Sequence, residues 1–193
     1  MDHEVEPLDG DVLNTVDTFA EILNRRAIAY AIIGGIGVLL RGRPRFTQDV
    51  DVLLQVPQIA LPGLADDLKQ RGFTLDPATL IREYVDVGMT GFQFGVIQVD
   101  CLKPVVPLYN RVLKTATDIA WESGRPVRVA SVEGLILTKL LSFRVQDQQD
   151  IYTLLTANRD IIDLSIIREE WQPLAASYPA ATQWLEGMLA KFV

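Results

Sequence analysis

The chain has 193 residues, is 49% hydrophobic and carries a formal net charge of −7, enough apolar sequence for one compact unit with a sizeable core and the wrong sign of charge for long-range attraction to a polyanion. A single cysteine, Cys101, excludes an intrachain disulfide and four-cysteine zinc sites, and a single histidine, His3, excludes Ser-His-Asp, Cys-His and histidine-zinc chemistry. Any catalysis must therefore rest on carboxylates, amines and metal.

The opening residues, Met1 to Pro7, are acidic and lack the basic and apolar regions of a secretory signal. No run approaches the roughly 20 apolar residues of a membrane span, so the expectation is a soluble, cytoplasmic protein with no membrane partner. Val12, Val16, Phe19, Ile22 and Leu23 fall at helical spacing and predict an amphipathic helix over 11–26, with Asp11 as a candidate N-cap. Ala29 to Ile33 then reads as a buried strand running into Gly34-Gly35, which opens a second helix. Glycine at that place lets backbone amides approach a phosphate, and the helix N-terminus adds a favourable field. A second apolar strand, Val50 to Leu54, is interleaved with Asp49 and Asp51. Side chains two apart in a strand share a face, so these two carboxylates project together.

Farther on, Ala65 to Arg71 reads as a helix ending at Gly72, Phe73 to Leu75 as a short strand, and Asp76-Pro77 as a turn. Val85 to Phe94 and Val96 to Leu102, separated by Gly95, suggest an antiparallel pair. On the second of these, Gln98 and Asp100 share one face, while Ile97, Val99 and Cys101 share the other. Cys101 is therefore read as a core residue rather than a nucleophile. Leu108 to Thr115 reads as a short helix, and Ile119 to Trp121 with Val127 to Val129 as a hairpin. Ser131 opens a helix that carries Lys139, and the remainder is helical. There are no repeats or low-complexity runs. The order predicts an α+β fold, a short mixed β-sheet core with packed helices over 1–130 and a helical C-terminal part over 131–193 that closes over a cleft.

Two carboxylates side by side repel one another unless a cation sits between them. A hard divalent ion with oxygen ligands fits such a pair, and magnesium keeps coordination positions for water and substrate phosphates. Burying two carboxylates on an apolar strand without such a function would cost several kcal/mol. Positive residues cluster around the acidic ones: Arg41, Arg43 and Arg45 before the pair, Lys103, Arg111 and Lys114 after Asp100, then Arg125 and Arg128. They read either as solvated loop charges or as an anion-binding rim.

The glycine pair followed by Arg45, Thr47, Asp49 and Asp51 resembles the nucleotidyltransferase superfamily, whose fold is that of DNA polymerase beta. The wording is most similar to the small AbiEii-type and MenT-like enzymes, many of which are toxins of toxin–antitoxin systems. The series Lys139, Arg144, Asp147 and Asp150 is also similar to one those proteins carry, with Gln146 where relatives often have lysine. The resemblance spans roughly residues 30 to 155.

It implies two Mg2+ ions held by Asp49, Asp51 and Asp100. It further implies nucleotide contacts from Gly34, Gly35, Arg45, Thr47, Lys139 and Arg144, and a role for Asp147 as general base or nucleotide contact. The residues alone also permit blander readings: Lys139 as a snorkelling surface lysine, Asp147 and Asp150 as an exposed helix face, Arg144 and Asp147 as a local ion pair.

The implied activity is transfer of a nucleoside monophosphate from an NTP to an acceptor hydroxyl. The first reading is a toxin-like enzyme acting on RNA such as tRNA, or on protein, and neutralised by a cognate antitoxin. The second is a small-molecule, antibiotic-type enzyme or a minimal antitoxin-type one. The third is a catalytically silent binding module, disfavoured by the presence of all three carboxylates.

Overall fold

The computed structural model describes residues 10–43, 47, 49–121 and 124–192. Its sheet contains seven strands: β1 (Ala29–Ile32), β2 (Asp49–Gln55), β3 (Phe73–Thr74), β4 (Met89–Phe94), β5 (Ile97–Leu102), β6 (Thr117–Ala120) and β7 (Pro126–Val129). Their order across the sheet is β3-β4-β5-β2-β1-β7-β6. The sheet is mixed: β2 runs parallel to β5 and β1 parallel to β7, whereas the β1–β2, β3–β4, β4–β5 and β6–β7 pairs are antiparallel.

One face of this sheet is largely apolar. Val50, Val52 and Leu54 of β2 and Ile97, Val99 and Cys101 of β5 point to it, in the period-two alternation read from the sequence. They meet helix α1 (Gly10–Arg25) and helix α3 (Leu61–Gln70) through Val16, Phe19, Leu64 and Leu68. Phe19, Phe73 and Phe92 close this layer edge to face or tilted, with ring centroids 5.6–5.9 Å apart.

The opposite face carries Ala31, Ile33, Leu53 and Ala130 under a helical layer made of α5 (Pro107–Thr115), α6 (Val132–Ser142), α7 (Val145–Ala157), α8 (Leu164–Trp171) and α9 (Pro179–Leu189). Helix α6 is buried around nearly its whole circumference, through Leu135, Ile136, Leu137 and Leu140, as expected of a helix apolar on all sides. Ser131 caps it by accepting from the Gly134 N–H at 3.1 Å, worth about 1 kcal/mol. Helix α2 (Gly34–Arg41) bridges the two halves: Arg41 donates to the carbonyl of Ala130 and to the Thr117 hydroxyl, and the Asn158 side chain donates to the Arg41 carbonyl at 2.7 Å.

Three local expectations are corrected. Asp11 lies inside α1, where its carbonyl accepts from the Thr15 hydroxyl, and is not the N-cap. Asp76 caps a helix, α4 (Pro77–Arg82), by accepting from the Thr79 N–H, so Asp76-Pro77 starts a helix rather than a simple turn. Residues Glu83–Val87 continue α4 as a π-helical turn that Gly88 ends at φ +81°, so the expected strand from Val85 begins only at Met89. The buried Tyr84 hydroxyl holds that turn to the sheet, donating to the Leu54 carbonyl and accepting from the Val56 N–H.

Candidate active site

Parallel pairing of β2 with β5 sets Asp51 directly beside Asp100 and Asp49 beside Gln98, all on the face of the sheet opposite α1 and α3. Asp51 and Asp100 are half-buried and Asp49 is exposed at the start of its strand. The Gln98 carboxamide donates to Asp100 Oδ1 at 2.8 Å. Across β4, Gly91 pairs with Asp100, and a methyl group there would lie 2.8 Å from Asp100 Oδ1 and 2.6 Å from Gln98 Nε2. Absence of a side chain at this strand position makes room for the carboxylate.

Gly34 does the same for Asp51 from the other side. Its φ of +59° lies in the left-handed region, and an added Cβ would lie only 1.8 Å from Asp51 Oδ2. Burial pushes the Asp51 carboxyl above the usual carboxylate range. The nearby Lys139 ammonium opposes that rise, Asp100 and Asp49 add to it, and the Gly35 N–H favours the ionised form. The glycine pair thus packs on and hydrogen-bonds to the carboxylate itself.

Lys139 extends from α6 and is 6% exposed. Its ammonium sits 3.1 Å from Asp147 Oδ1 and 2.8 Å from Asp150 Oδ2, two α7 carboxylates that are also buried. Asp147, at the third position of α7, accepts from the Arg144 backbone N–H and from Arg144 Nε, each at 2.9 Å. Burial alone would raise the Asp147 carboxyl, but the Arg144 and Lys139 hydrogen bonds outweigh it and hold the group at about 2. The same pairing raises Arg144. Gln146 donates to Asp150 Oδ1 at 3.2 Å, so its carboxamide joins this cluster.

A cleft of about 540 Å³ opens over these groups. Gly34, Asp51, Asp100, Lys139 and Arg144 line it, together with Met89, Leu102, Val105, Val106, Tyr109 and Tyr178. Asp51 and Asp100 therefore share a cleft with Lys139 and Arg144, whereas Asp147 is fully enclosed beneath them. The Thr47 hydroxyl is 3.5 Å from the Asp49 carbonyl, the far limit of a hydrogen bond. Arg45 lies outside the described residues.

Sequence reading missed Gly91 as the space-maker for Asp100 and missed the apolar wall. A glycine inside a strand run was a usable signal for the first; Tyr178 offered none, being distant in sequence from everything it faces.

Several residues considered for an anion-binding rim are already partnered. Arg41 is bonded to β6 and β7, Arg111 to Glu170, Arg125 to Glu21 and Arg128 to Asp118, while the Lys103 ammonium lies over the Tyr84 ring. A larger groove, of about 810 Å³, is lined by Asn110, Arg111, Lys114 and Arg128 at the opposite end of β2 from Asp49, away from the carboxylates.

Among the described residues, no three His, Cys, Asp or Glu side chains are gathered into a ready-made metal cage. The donor set nonetheless suits a hard cation: two adjacent carboxylates of like charge with a third, exposed one on the same strand face. Such an oxygen-only, incomplete set matches an ion that retains water and substrate phosphates among its ligands. No helix among the described residues is long and apolar enough to cross a membrane.

No family model matches the chain, and no curated protein matches it. Solved structures do. An antigenic nucleotidyltransferase-like protein from Paracoccidioides brasiliensis is 21% identical over 93% of this chain and 94% of its own, with a TM-score of 0.52. ANT(2″)-Ia, in complex with adenylyl-2″-tobramycin, is 16% identical over 88% and 97%, with a TM-score of 0.55. The lincosamide antibiotic adenylyltransferase LnuA, bound to lincomycin, is 14% identical over 78% and 98%, with a TM-score of 0.51. At these identities the likeness concerns backbone architecture, and the chain has the α+β fold of the nucleotidyltransferases.

Proposed function

We propose that the protein is a nucleotidyltransferase that moves a nucleoside monophosphate from an NTP to an acceptor hydroxyl. The observation that carries this reading is the register that sets Asp51 beside Asp100, with Asp49 on the same face, over a cleft that also holds Lys139 and Arg144. Asp49, Asp51 and Asp100 would hold Mg2+, which when bound supplies charge neutralisation for the triphosphate and the departing pyrophosphate. The acceptor oxygen forms a bond to the α-phosphorus as the bond from that phosphorus to the bridging oxygen breaks, and pyrophosphate leaves. The hydroxyl proton passes to Asp100, whose carboxylate the Gln98 carboxamide orients through Oδ1.

Enclosed below the cleft, Asp147 acts as a positioning residue: it fixes Lys139 and Arg144, which face the phosphates, and does not touch the substrate itself. Gly34 and Gly35 hold Asp51 in place, and the N-terminus of α2 contributes its field to the phosphates.

A small-molecule acceptor is favoured, because arginines that could have gripped a polyanion are bonded within the protein. The second reading, a toxin-like enzyme that modifies tRNA or a protein and is silenced by an antitoxin, is supported by the resemblance of the Lys139, Arg144, Asp147 and Asp150 series to AbiEii-type enzymes. The test is incubation with each α-labelled NTP and Mg2+, with metabolite extract, total tRNA or cell protein as acceptor, beside Asp51→Asn. Label on a small compound supports the first reading, and label on RNA or protein the second. Label transferred equally well by Asp51→Asn would refute the assignment of the carboxylates.

A further inference from the structure

The cleft is chemically two-sided. Besides the four charged groups and the side chains of Thr138 and Ser142 its wall is apolar or aromatic, and two of its members are large hydrophobic side chains left open: Val105 is 64% exposed and Met89 52%. The rim is nonetheless ordered from within. The Lys103 N–H donates to the Gly88 carbonyl at 2.8 Å, and Gly88 lies close enough to Val105 that an added methyl would come within 3.2 Å of it. Tyr109 and Tyr178 extend the wall and bring aromatic faces with one hydroxyl each.

Charge narrows what can lie there. Among the described residues lining the cleft, the cations are Lys139 and Arg144, both paired with buried α7 carboxylates, and the anions are Asp51 and Asp100. Among the described residues, the apolar wall has no carboxylate to meet a polycationic acceptor and no cation to meet a polyanionic one. A desolvated charge set against it would go uncompensated.

We propose that the acceptor is an uncharged, amphipathic alcohol whose apolar body lies on Met89, Val105, Val106, Tyr109 and Tyr178 and whose hydroxyl reaches the α-phosphorus beside Asp51 and Asp100. This rests on the nucleotidyl-transfer reading and specifies its acceptor; the phosphoester bond formed, the pyrophosphate released and the proton taken up by Asp100 are those given above. The apolar wall is the acceptor subsite and not the seat of the nucleotide base.

The test pairs binding with transfer on the full chain. The neutral naphthalene dye prodan reports the wall without any reaction: its emission should rise with the wild type and with Asp51→Asn but not with Val105→Asp, an exposed position where the substitution leaves folding intact. In the transfer assay, uncharged steroid-type and macrolide-type alcohols are set beside kanamycin and total tRNA. Label should move to the neutral alcohols, with Val105→Asp raising the acceptor KM about tenfold or more while the NTP KM stays within about twofold. Val105→Leu should restore both. Label moving only to kanamycin or tRNA, an NTP KM raised in place of the acceptor KM, or no prodan binding by the wild type would overturn the proposal. Prodan bound by the wild type and lost in Val105→Asp, with no label on any acceptor, would instead refute the transfer reading and leave an apolar ligand site.

Discussion

Replacing Gly34 with alanine tests the tightest contact in the site. The added methyl would lie 1.8 Å from Asp51 Oδ2, 2.5 Å from its Cγ and 2.6 Å from its Cβ, while the backbone φ is +59°. The left-handed conformation alone disfavours an L residue by about 1–2 kcal/mol. The carboxylate tip can rotate away, but the Cβ of Asp51 is fixed to β2, so α2 and β2 must also separate, an overpacking cost of about 1–3 kcal/mol. The sum, roughly 2–5 kcal/mol, corresponds in a chain of this size to a melting temperature lower by roughly 5–15 °C. Displacing Asp51 by the order of an ångström should reduce transfer by about a hundredfold. Calorimetry and a labelled-NTP assay read the two effects, and a double-mutant cycle with Asp51→Gly separates them. Asp51→Gly removes every atom named above, so in that background Gly34→Ala should show only the backbone term. An unchanged melting temperature and rate, or the same loss in both backgrounds, would refute the reasoning.

Gly91→Ala places a methyl against two movable side-chain tips, so stability should change by less than about 1 kcal/mol while kcat falls as Asp100 is turned; equal kcat in the two proteins would count against Asp100 as the proton acceptor. Asp147→Asn should destabilise the fold at pH 7 by on the order of 1–2 kcal/mol, after allowance for the screening of exposed Arg144. Asp147 is held at about 2 against an ordinary value of 3.8, so its contribution is present above pH 3.8 and is lost as pH falls through 2. The stability gap between wild type and variant in urea should therefore be smaller at pH 3 than at pH 7, and a constant gap would refute the ion-pair account. NTP affinity measured by calorimetry should rise at least about tenfold when Mg2+ is added, and Asp51→Asn should lose most of that gain; equal affinity with and without Mg2+ would tell against a carboxylate-bound ion.

What was legible in the chain was what neighbouring residues determine. Val50, Val52 and Leu54 alternate with Asp49 and Asp51, so the strand and the common face of its carboxylates follow from a period of two. The two faces of β5 follow in the same way. The register between these strands does not, because it depends on pairing segments far apart in sequence, and only that pairing makes Asp51 and Asp100 neighbours.

The α6–α7 segment shows a different limit. Asp147 and Asp150 at a spacing of three suit an exposed helix face as well as a buried one, and Lys139 between Leu137 and Leu140 suits a snorkelling lysine. Packing of α6 against the sheet and its neighbouring helices decides the matter by enclosing all three side chains. In the stretch before β4, the β-branched Val85 and Val87 argued for a strand. The Tyr84 hydroxyl, bonded to the Leu54 and Val56 backbone, and the left-handed Gly88 instead hold a helical turn there, a tertiary preference that local propensity does not encode.

The buried cluster also fixes the lysine that the proposed reaction sets against phosphate. Asp147 and Asp150 beneath Lys139 pair with its ammonium, and the Arg144 guanidinium in turn keeps Asp147 ionised. Counting the groups joined around the cleft gives four carboxylates, Asp51, Asp100, Asp147 and Asp150, against two cations, Lys139 and Arg144. The local balance is negative before Asp49 is added, so the protein alone would repel a triphosphate. The α7 aspartates set the direction of the two cations, while the strand aspartates leave a charge deficit that the proposed divalent ion would remove. On the proposed reading the two acidic pairs do opposite work: one supports the groups set against phosphate, and the other makes attraction conditional on metal.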